Sequence, residues 1–441
     1  MKSDSIFSSL DSLKNEIEGD LRYDEVTRVI YSTDASAYKE VPLAVVWPRS
    51  PADIKKVLAF ASREKIGLTM RAAGTSLAGQ VVSSGIIVDV SKYMKDIIEL
   101  NEEEMWVRVQ PGVVLDELNL FLRKKGLFFG PETSTSSRCN LGGMVGNNAC
   151  GSHSIIYGST RDHTIELKTI LSDGSEAVFG PLDKDGFKEK CNSSNFEGSL
   201  YREIKDMLDN PANREQISKG FPDKKIPRRN TGYALDLLLD NIVFDNKSDK
   251  PFNFCKLLAG SEGTLAITTE IKLNLVKLPP PHKALLCIHL EKRNDAFLVN
   301  LIALKHNPSA VEMMDDRILK LTENNLSQRR NRFFLEGNPG SIVIVEVVRE
   351  NPDLVVKAIE DVVKDLRASN YGYAVPVVRG RDISKVWNLR KAGLGVLTNM
   401  KGDHKPVSLI EDTAVNVDQM PGYIDDFEKM LAVYDKEVVY H

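Results

Sequence analysis

Two hydrophobic periods alternate along residues 41–130, one of about two residues and one of about 3.6, which predicts strands interleaved with helices. The β-branched, strand-like runs are residues 45–47, 66–70, 86–90 and 106–109. The first helix is predicted to follow Ser50, whose side chain can cap it, with Pro51 in its first turn and Asp53 beside its N-terminus. A second helix is predicted from leucines at helical spacing, namely Leu115, Leu118 and Leu122. The alternation is typical of an α/β or an α+β fold class.

Composition divides the rest of the chain. Apolar periodicity fades over residues 130–180, where Gly, Ser, Thr and Asn crowd together as in loops that carry function. Residues 181–256 are charged and predict an insertion or a helical excursion. The prolines at 279–281 indicate a boundary before further strands at 284–290 and 341–348. The expected units are a helical segment (1–40), a domain of two subdomains with their boundary near 110–130 (41–280), and a second domain (281–441).

Charge and composition narrow the function. Of the 441 residues, 42 % are hydrophobic and 27 % charged, which excludes wholesale disorder. The net charge of −4 gives no general attraction to phosphate backbones, so nucleic-acid binding is not expected. No apolar run reaches the roughly 18 residues of a membrane span, and the N-terminus does not follow the pattern of a secretion signal. Five cysteines without a C-x-x-C pair predict no disulfide framework, and a reducing cytoplasmic location is expected.

A loop of small residues over 71–79 follows the predicted strand at 66–70. Backbone N–H groups in such a loop can close on an anion. The loop has neither the Lys-Ser/Thr ending of a P-loop nor the G-x-G-x-x-G spacing of a dinucleotide fingerprint. Taken alone, it fits a tight turn and a pyrophosphate cradle equally well.

Two further segments of small residues shift this balance. Residues 131–151 are rich in Ser, Thr, Asn and Gly, and the paired Gly142 and Gly143 allow the backbone to approach a flat ligand closely. The hydroxyl and amide side chains supply donors and acceptors for the edge of a heteroaromatic ring. Residues 259–267 again place small residues directly before a strand. Three such segments favour one extended ligand.

These segments resemble those of the FAD-linked oxidase superfamily, of the vanillyl-alcohol oxidase and p-cresol methylhydroxylase type. The similarity runs from about Ala44 to the C-terminus and is greatest to the branch of D-lactate dehydrogenases, glycolate oxidase FAD subunits and D-2-hydroxyglutarate dehydrogenases. The sequence GGMVGNNACGSH at 142–153 is similar to fusion proteins with an iron–sulfur region after the flavin part. The resemblance implies a two-part FAD-binding domain of p-cresol methylhydroxylase type, then an α/β, ferredoxin-like substrate domain that is incomplete at its C-terminus.

The resemblance also implies which residues bind FAD. The implied contacts are Arg71, Ala72, Ala73, Gly74, Thr75 and Ser76 with the pyrophosphate, Cys139, Gly142, Gly143, Asn147, Asn148 and Gly151 with the flavin, Ile267 through its backbone with the adenosine portion, and Pro131. Cys150 and Ala266 depart from the glycines common at these positions of the branch. The first loop has no histidine, so a covalent histidyl link there is not expected, and FAD is expected to be held non-covalently.

In the second domain, residues 387–392 predict a helix, and the branch has an arginine in this motif that grips the substrate carboxylate. Arg390 matches it, and a planar guanidinium can hold a carboxylate at two points. Without the motif, an isolated arginine is more often a surface residue. Residues 411–415 resemble a strand beside the substrate pocket, and Ile410 stands where dicarboxylate-selective enzymes carry a lysine, so a dicarboxylate preference is not implied.

The implied activity is FAD-dependent oxidation of a small D-2-hydroxy acid such as D-lactate, glycolate or D-2-hydroxyglutarate, by hydride transfer to flavin N5. The implied electron acceptor is a quinone, a cytochrome or an iron–sulfur region, and the location is cytoplasmic or peripheral to the inner face of the membrane. The branch's His-rich metal motif would begin near His441, so a divalent metal and an iron–sulfur cluster would come from sequence beyond it.

Two alternatives stay open at this point. One is a flavin-binding electron-transfer module that is inactive without residues after 441, and the other is a nicotinamide-dependent flavin reductase. The oligomeric state is not indicated by the sequence, and a homo-oligomer is compatible with it.

Overall fold

The structure is a computed structural model that describes residues 2–226, 228–229, 232–403, 405–408, 410 and 413–440. Glu411 and Asp412, which open the predicted strand at 411–415, lie outside the described residues, as does His441.

The first subdomain is built on a four-stranded sheet. Its elements are α1 (Lys2–Glu16), β1 (Asp20–Arg22), α2 (Glu25–Ile30), β2 (Ala44–Trp47), α3 (Pro51–Glu64), β3 (Leu68–Arg71) and β4 (Ile86–Asp89). The strand order is β1-β2-β4-β3, with β1 antiparallel to β2 and the other pairs parallel. Strand β1 comes from residues 1–40, so this N-terminal segment is part of the sheet. Helix α3 begins as predicted, because the Ser50 side chain accepts a hydrogen bond from the backbone N–H of Asp53.

The second subdomain surrounds a five-stranded antiparallel sheet of order β5-β6-β10-β8-β9. Its elements are β5 (Ile97–Asn101), β6 (Trp106–Val109), α4 (Leu115–Arg123), β7 (Leu127–Phe128), α5 (Leu141–Asn147), α6 (Ser154–Tyr157), α7 (Thr160–His163), β8 (Thr164–Ile170), β9 (Glu176–Phe179), α8 (Lys184–Asn192), α9 (Phe196–Asp209), α10 (Pro211–Gly220), α11 (Leu235–Leu239), α12 (Cys255–Leu258), β10 (Ile267–Asn274) and β11 (Val276–Lys277). The chain passes from the first sheet to the second between Asp89 and Ile97, ahead of the interval 110–130 where we expected the boundary. Helices α8 to α12 form the predicted helical excursion.

The second domain is a four-stranded antiparallel sheet of order β13-β14-β12-β15. Its elements are β12 (His282–Leu290), α13 (Asp295–Leu304), β13 (Ala310–Asp315), α14 (Asp316–Leu321), β14 (Ser341–Arg349), α15 (Pro352–Ala368), β15 (Val377–Arg379), α16 (Ile383–Lys391), α17 (Gly393–Thr398) and α18 (Met420–Val433). The βαββαβ succession of β12, α13, β13, β14, α15 and β15 is the predicted ferredoxin-like arrangement.

Strand β14 shows why this sheet is apolar on both faces. Helices α13 and α15 cover one face, and α14, α16 and α17 cover the other, so the strand is buried from Ser341 to Val347. A strand covered on both sides is a continuous apolar run instead of an alternating one. Glu346 is the charged residue within this buried stretch. Among the described residues, no helix is long and apolar enough to cross a membrane.

Candidate functional site

A cleft of about 1060 Å³ is lined by residues of both domains. Its walls include the loop after β3, helix α5 with its flanking segments, and the segment before β10. From the second domain come β13 and helices α16, α17 and α18. Small-molecule sites usually measure about 300–1,000 Å³, so this cleft has room for a large, extended ligand.

The loop after β3 presents its backbone to the cleft. Within the part of the chain that the structure describes, the N–H groups of residues 73–77 have no protein acceptor. Gly74 has a φ of +65°, which turns the chain where other residues would be strained. Arg71 braces the loop, since its guanidinium donates to the carbonyl oxygens of Thr33 at 2.9 Å and Tyr31 at 3.4 Å. Such a row of N–H groups suits an anion.

Helix α5 lies close against this loop. A Cβ on Gly143 would come within 3.3 Å of the Cβ of Ala72, and one on Gly142 within 2.7 Å of the Cβ of Pro111. At the start of the helix, the amide nitrogen of Asn140 donates to the carbonyl of Gly112. The amide oxygen of Asn140 is buried and has no hydrogen-bond partner in the described structure. The helix therefore offers a narrow wall of small residues and an unpaired acceptor beside it.

Most of the predicted cofactor-binding residues meet at the cleft. Those that line it are Arg71, Ala72, Ala73, Gly74, Thr75, Ser76, Cys139, Gly142, Gly143, Asn147, Asn148 and Gly151. Pro131 and Ile267 are buried and do not line it, although Ala266 and Thr268, on either side of Ile267, do. An extended cleft with unpaired N–H groups at one part and glycines at another fits the phosphates and the flat ring of FAD.

Cys139 contributes a neutral thiol to this wall. Its sulfur accepts a hydrogen bond from the Thr133 hydroxyl at 3.3 Å, and burial raises the pKa of the thiol. A thiol with a raised pKa stays protonated near neutral pH and is a poor nucleophile. Cys139 therefore acts here as a small packing residue.

Arg390 reaches the cleft from helix α16, which contains most of the helix predicted over residues 387–392. Its Nη2 lies 2.5 Å from Oε2 of Glu312 on strand β13, and both side chains line the cleft. The guanidinium is thus placed to hold a carboxylate, and in this structure it holds one from the protein. Glu312 was not predicted from the sequence, because an isolated glutamate in a strand is ordinarily a solvated residue.

His153 lies between two carboxylates. Its Nδ1 is 2.6 Å from Glu132 of the first domain, and its Nε2 is 2.8 Å from Glu346 of the second. Burial disfavours the imidazolium, but the two carboxylates outweigh that effect and raise the pKa of His153 to about 10. Burial likewise disfavours ionised Glu346, yet the bonds from His153 and Ser309 lower the pKa of Glu346 to about 2. The cluster is therefore ionised at neutral pH.

The buried Glu346 also connects to helix α16. It accepts hydrogen bonds from the Ser309 hydroxyl at 2.8 Å and from the Trp387 indole N–H at 3.1 Å. Trp387 and Arg390 are three residues apart on α16, which places them on neighbouring turns of one face. The contact between His153 and Glu346 was not predicted from the sequence, since the two residues are 193 positions apart.

Two family models match the chain. One, described as an FAD binding domain, matches residues 42–180, and the other, described as the C-terminal domain of FAD linked oxidases, matches residues 280–440. These spans contain the loop after β3 and helix α5 in the first case, and helix α16 in the second. The fold and the cleft are thus those of a two-domain FAD-binding protein.

Curated relatives agree with this class. The chain is 32 % identical over 438 residues to a D-2-hydroxyglutarate dehydrogenase of Pseudomonas putida, covering 96 % of this chain and 42 % of the relative. It is 33 % identical over 431 residues to a D-2-hydroxyglutarate dehydrogenase of Escherichia coli, covering 94 % of this chain and 41 % of the relative. It is 25 % identical over 428 residues to the glycolate oxidase subunit GlcD of Bacillus subtilis, covering 95 % of this chain and 75 % of the relative. The chain spans less than half the length of the two dehydrogenases.

Among solved structures, an alkyldihydroxyacetonephosphate synthase shares the fold, with a TM-score of 0.56 at 15 % identity, over 86 % of this chain and 62 % of the other. The chain belongs to the FAD-linked oxidase superfamily, in the branch that includes D-2-hydroxyglutarate dehydrogenases and glycolate oxidase subunits. Its predicted family and fold are thereby confirmed.

Proposed function

We propose that this chain is the flavin-binding part of a dehydrogenase that oxidises a small D-2-hydroxy acid. One observation carries the proposal: Arg390 of the second domain and the small-residue segments of the first domain line the same cleft. A carboxylate-binding group and an FAD-binding wall that face each other bring a hydroxy acid to a flavin. The names of the curated relatives support this substrate class.

The residues take separate roles in the proposal. The N–H groups of residues 73–77 hold the FAD pyrophosphate, and the wall of Gly142 and Gly143 lies against the ring, with no covalent link. Bound FAD supplies a hydride acceptor at flavin N5. Arg390 fixes the substrate by its carboxylate, so that one face of the α-carbon is presented.

The relatives are longer than this chain, and we assign the remaining functions to that additional length. These functions are the transfer of electrons to an onward acceptor, namely a quinone, a cytochrome or an iron–sulfur region, and the binding of the divalent metal of the branch. Within the described residues, no group of three or more His, Cys, Asp or Glu side chains is placed to hold a metal ion.

The test is anaerobic reduction of the FAD-loaded chain. D-2-Hydroxyglutarate, D-lactate and glycolate are mixed with it one at a time, with L-2-hydroxyglutarate and L-lactate as matched controls. Loss of the yellow colour with a D-acid or glycolate, but not with the L-acids, is the expected result. A yellow protein inert to all of them would instead support an electron-transfer module, and bleaching by NADPH alone would support a flavin reductase.

A further inference from the structure

His153 joins the two domains, because its Nδ1 contacts Glu132 of its own domain and its Nε2 contacts Glu346 of the other. It stands in the segment after helix α5, and both Glu132 and His153 belong to the first domain, whereas Glu346 lies on strand β14 of the second. The Glu346 side chain is 3 % exposed, so this bond is withdrawn from water. Charge-assisted hydrogen bonds are stronger than neutral ones, and losing one partner of a buried pair leaves an uncompensated charge.

On the second-domain side, the contact continues to the carboxylate-binding arginine. Glu346 accepts the indole N–H of Trp387, whose ring centroid is 5.9 Å from that of His153. Trp387 is fixed on helix α16, one turn before Arg390. A movement of Glu346 would therefore shift the helix face that carries Arg390.

On the first-domain side, the contact reaches the flavin wall, by which we mean the small-residue segment 139–151 proposed to lie against the ring. Glu132 lines the cleft, and its carbonyl oxygen is so near Gly151 that a Cβ there would come within 2.6 Å of it. Ser152 also hydrogen-bonds the Glu132 carboxylate. Glu132 is thus locked to the end of the segment that we propose lies against the ring.

We propose that His153 is a positioning residue: by bridging Glu132 and Glu346, it sets helix α16 and Arg390 at a fixed distance from the flavin wall. The proposal rests on the proposed function, since it concerns where the substrate is held. Within the described structure, further charged or titratable groups that act on this cluster are Lys391, which acts on Glu132, Lys283, which acts on Glu346, and Tyr157. The ionised bridge supports the same role, because the two charge-assisted hydrogen bonds of His153 resist displacement.

The kinetic test is His153→Gln in the FAD-loaded chain. The variant removes the cation but leaves Arg390 able to bind a carboxylate, so kcat for flavin reduction should fall about 10- to 100-fold while KM changes less than about twofold. FAD content should be unchanged. The matched control is His306→Gln. His306 also pairs with a carboxylate, since its Nε2 lies 3.0 Å from Oδ2 of Asp365, but this pair does not line the cleft. An unchanged kcat in His153→Gln, or a loss confined to KM, would overturn the proposal.

A double-mutant cycle tests whether the bridge acts as a unit. Glu346→Gln keeps an acceptor for the Trp387 N–H but removes the charge that pairs with His153. If both residues act through one contact, the double variant should be no slower than the slower single variant. Independent, multiplying losses in kcat would contradict the bridge.

Hydrogen exchange separates this proposal from the proposed function, because it needs no substrate. In His153→Gln, backbone amides of α16 should exchange faster, while those of α13 should match the wild type. Faster exchange in α16 would support the bridge even where no hydroxy acid reduces the flavin. Equal exchange in α16 of variant and wild type would overturn it.

Discussion

Arg390 and Glu312 form an ion pair at the cleft, with 2.5 Å between Nη2 and Oε2. Their side chains are 14 % and 19 % exposed, so neither charge is fully solvated. A substrate carboxylate that reaches this guanidinium must share it with Glu312 or displace it. Where Arg390 holds the substrate carboxylate as proposed, the pair sets how tightly the acid binds.

Removing the competing charge should strengthen substrate binding. In Glu312→Gln, the KM for the hydroxy acid is expected to fall about threefold to tenfold, because the Glu312 carboxylate and the substrate carboxylate repel each other at one guanidinium. A tenfold change corresponds to about 1.4 kcal/mol. Steady-state kinetics at constant pH measure this, with Glu323→Gln, from the exposed pair with Arg332, as the control. A rise in KM would show that Glu312 orients Arg390 instead of competing with the substrate.

Arg390→Lys should keep the charge but lose the planar, two-point grip. The value of kcat/KM for the hydroxy acid is expected to fall on the order of 10²-fold, because a substrate whose reacting carbon is displaced by about 1 Å reacts more slowly by about this factor. FAD content should not change. Arg381→Lys, in the turn before α16, provides the control, and wild-type kcat/KM in Arg390→Lys would place the carboxylate site elsewhere.

Gly143→Leu should abolish FAD uptake. The Cβ alone would already lie 3.3 Å from the Cβ of Ala72, so the remaining side chain would have to enter the cleft. Bound flavin is measured by absorbance after gel filtration with excess FAD. Gly220→Leu is the matched control, since a Cβ there meets no atom within 4 Å. Normal flavin content in Gly143→Leu would separate this glycine from the ring.

Acid precipitation should release all of the FAD. The proposed wall is made of glycines, backbone N–H groups and the neutral thiol of Cys139, and none of these is expected to be bonded covalently to the flavin. After precipitation, the supernatant should be yellow and the pellet colourless. Flavin that stays with the denatured chain would contradict the non-covalent assignment.

The bridge at His153 predicts how stability depends on pH. The pKa of His153, about 10, is above its ordinary value of 6.5, so its stabilisation is complete below 6.5 and is lost as the pH rises through about 10. The pKa of Glu346, about 2, is below its ordinary value of 4.5, so its stabilisation is present above 4.5 and is lost as the pH falls through about 2.

Thermal melts across pH test this directly. The difference in Tm between wild type and His153→Gln should be largest between pH 4.5 and 6.5, where both contributions are present, and should shrink towards pH 10. His306→Gln should not reproduce that profile. A Tm difference that is constant with pH would contradict an ionised bridge.

Much of the fold could be predicted because its signals are local. Ser50 and Pro51 mark the start of α3 through contacts within one turn, and the run at 106–109 is strand β6 to the residue. The small-residue segments can also be found from composition alone, since glycine allows a backbone to approach a ligand closely. The order of the strands, and the point at which the chain passes from one sheet to the next, have no local signal in the sequence, because pairing joins strands that are far apart in the chain.

The sequence by itself predicted the elements, the small-residue segments that we propose bind FAD and the candidate Arg390, all of which depend on spacing or composition within a short stretch. Only the tertiary structure decided what the isolated charges do. Glu346 is 193 residues from His153, and Glu312 is 78 residues from Arg390. A glutamate in a strand has no local mark of its partner, because an ionised side chain is stable in water and becomes a paired, buried group only when the fold removes the water.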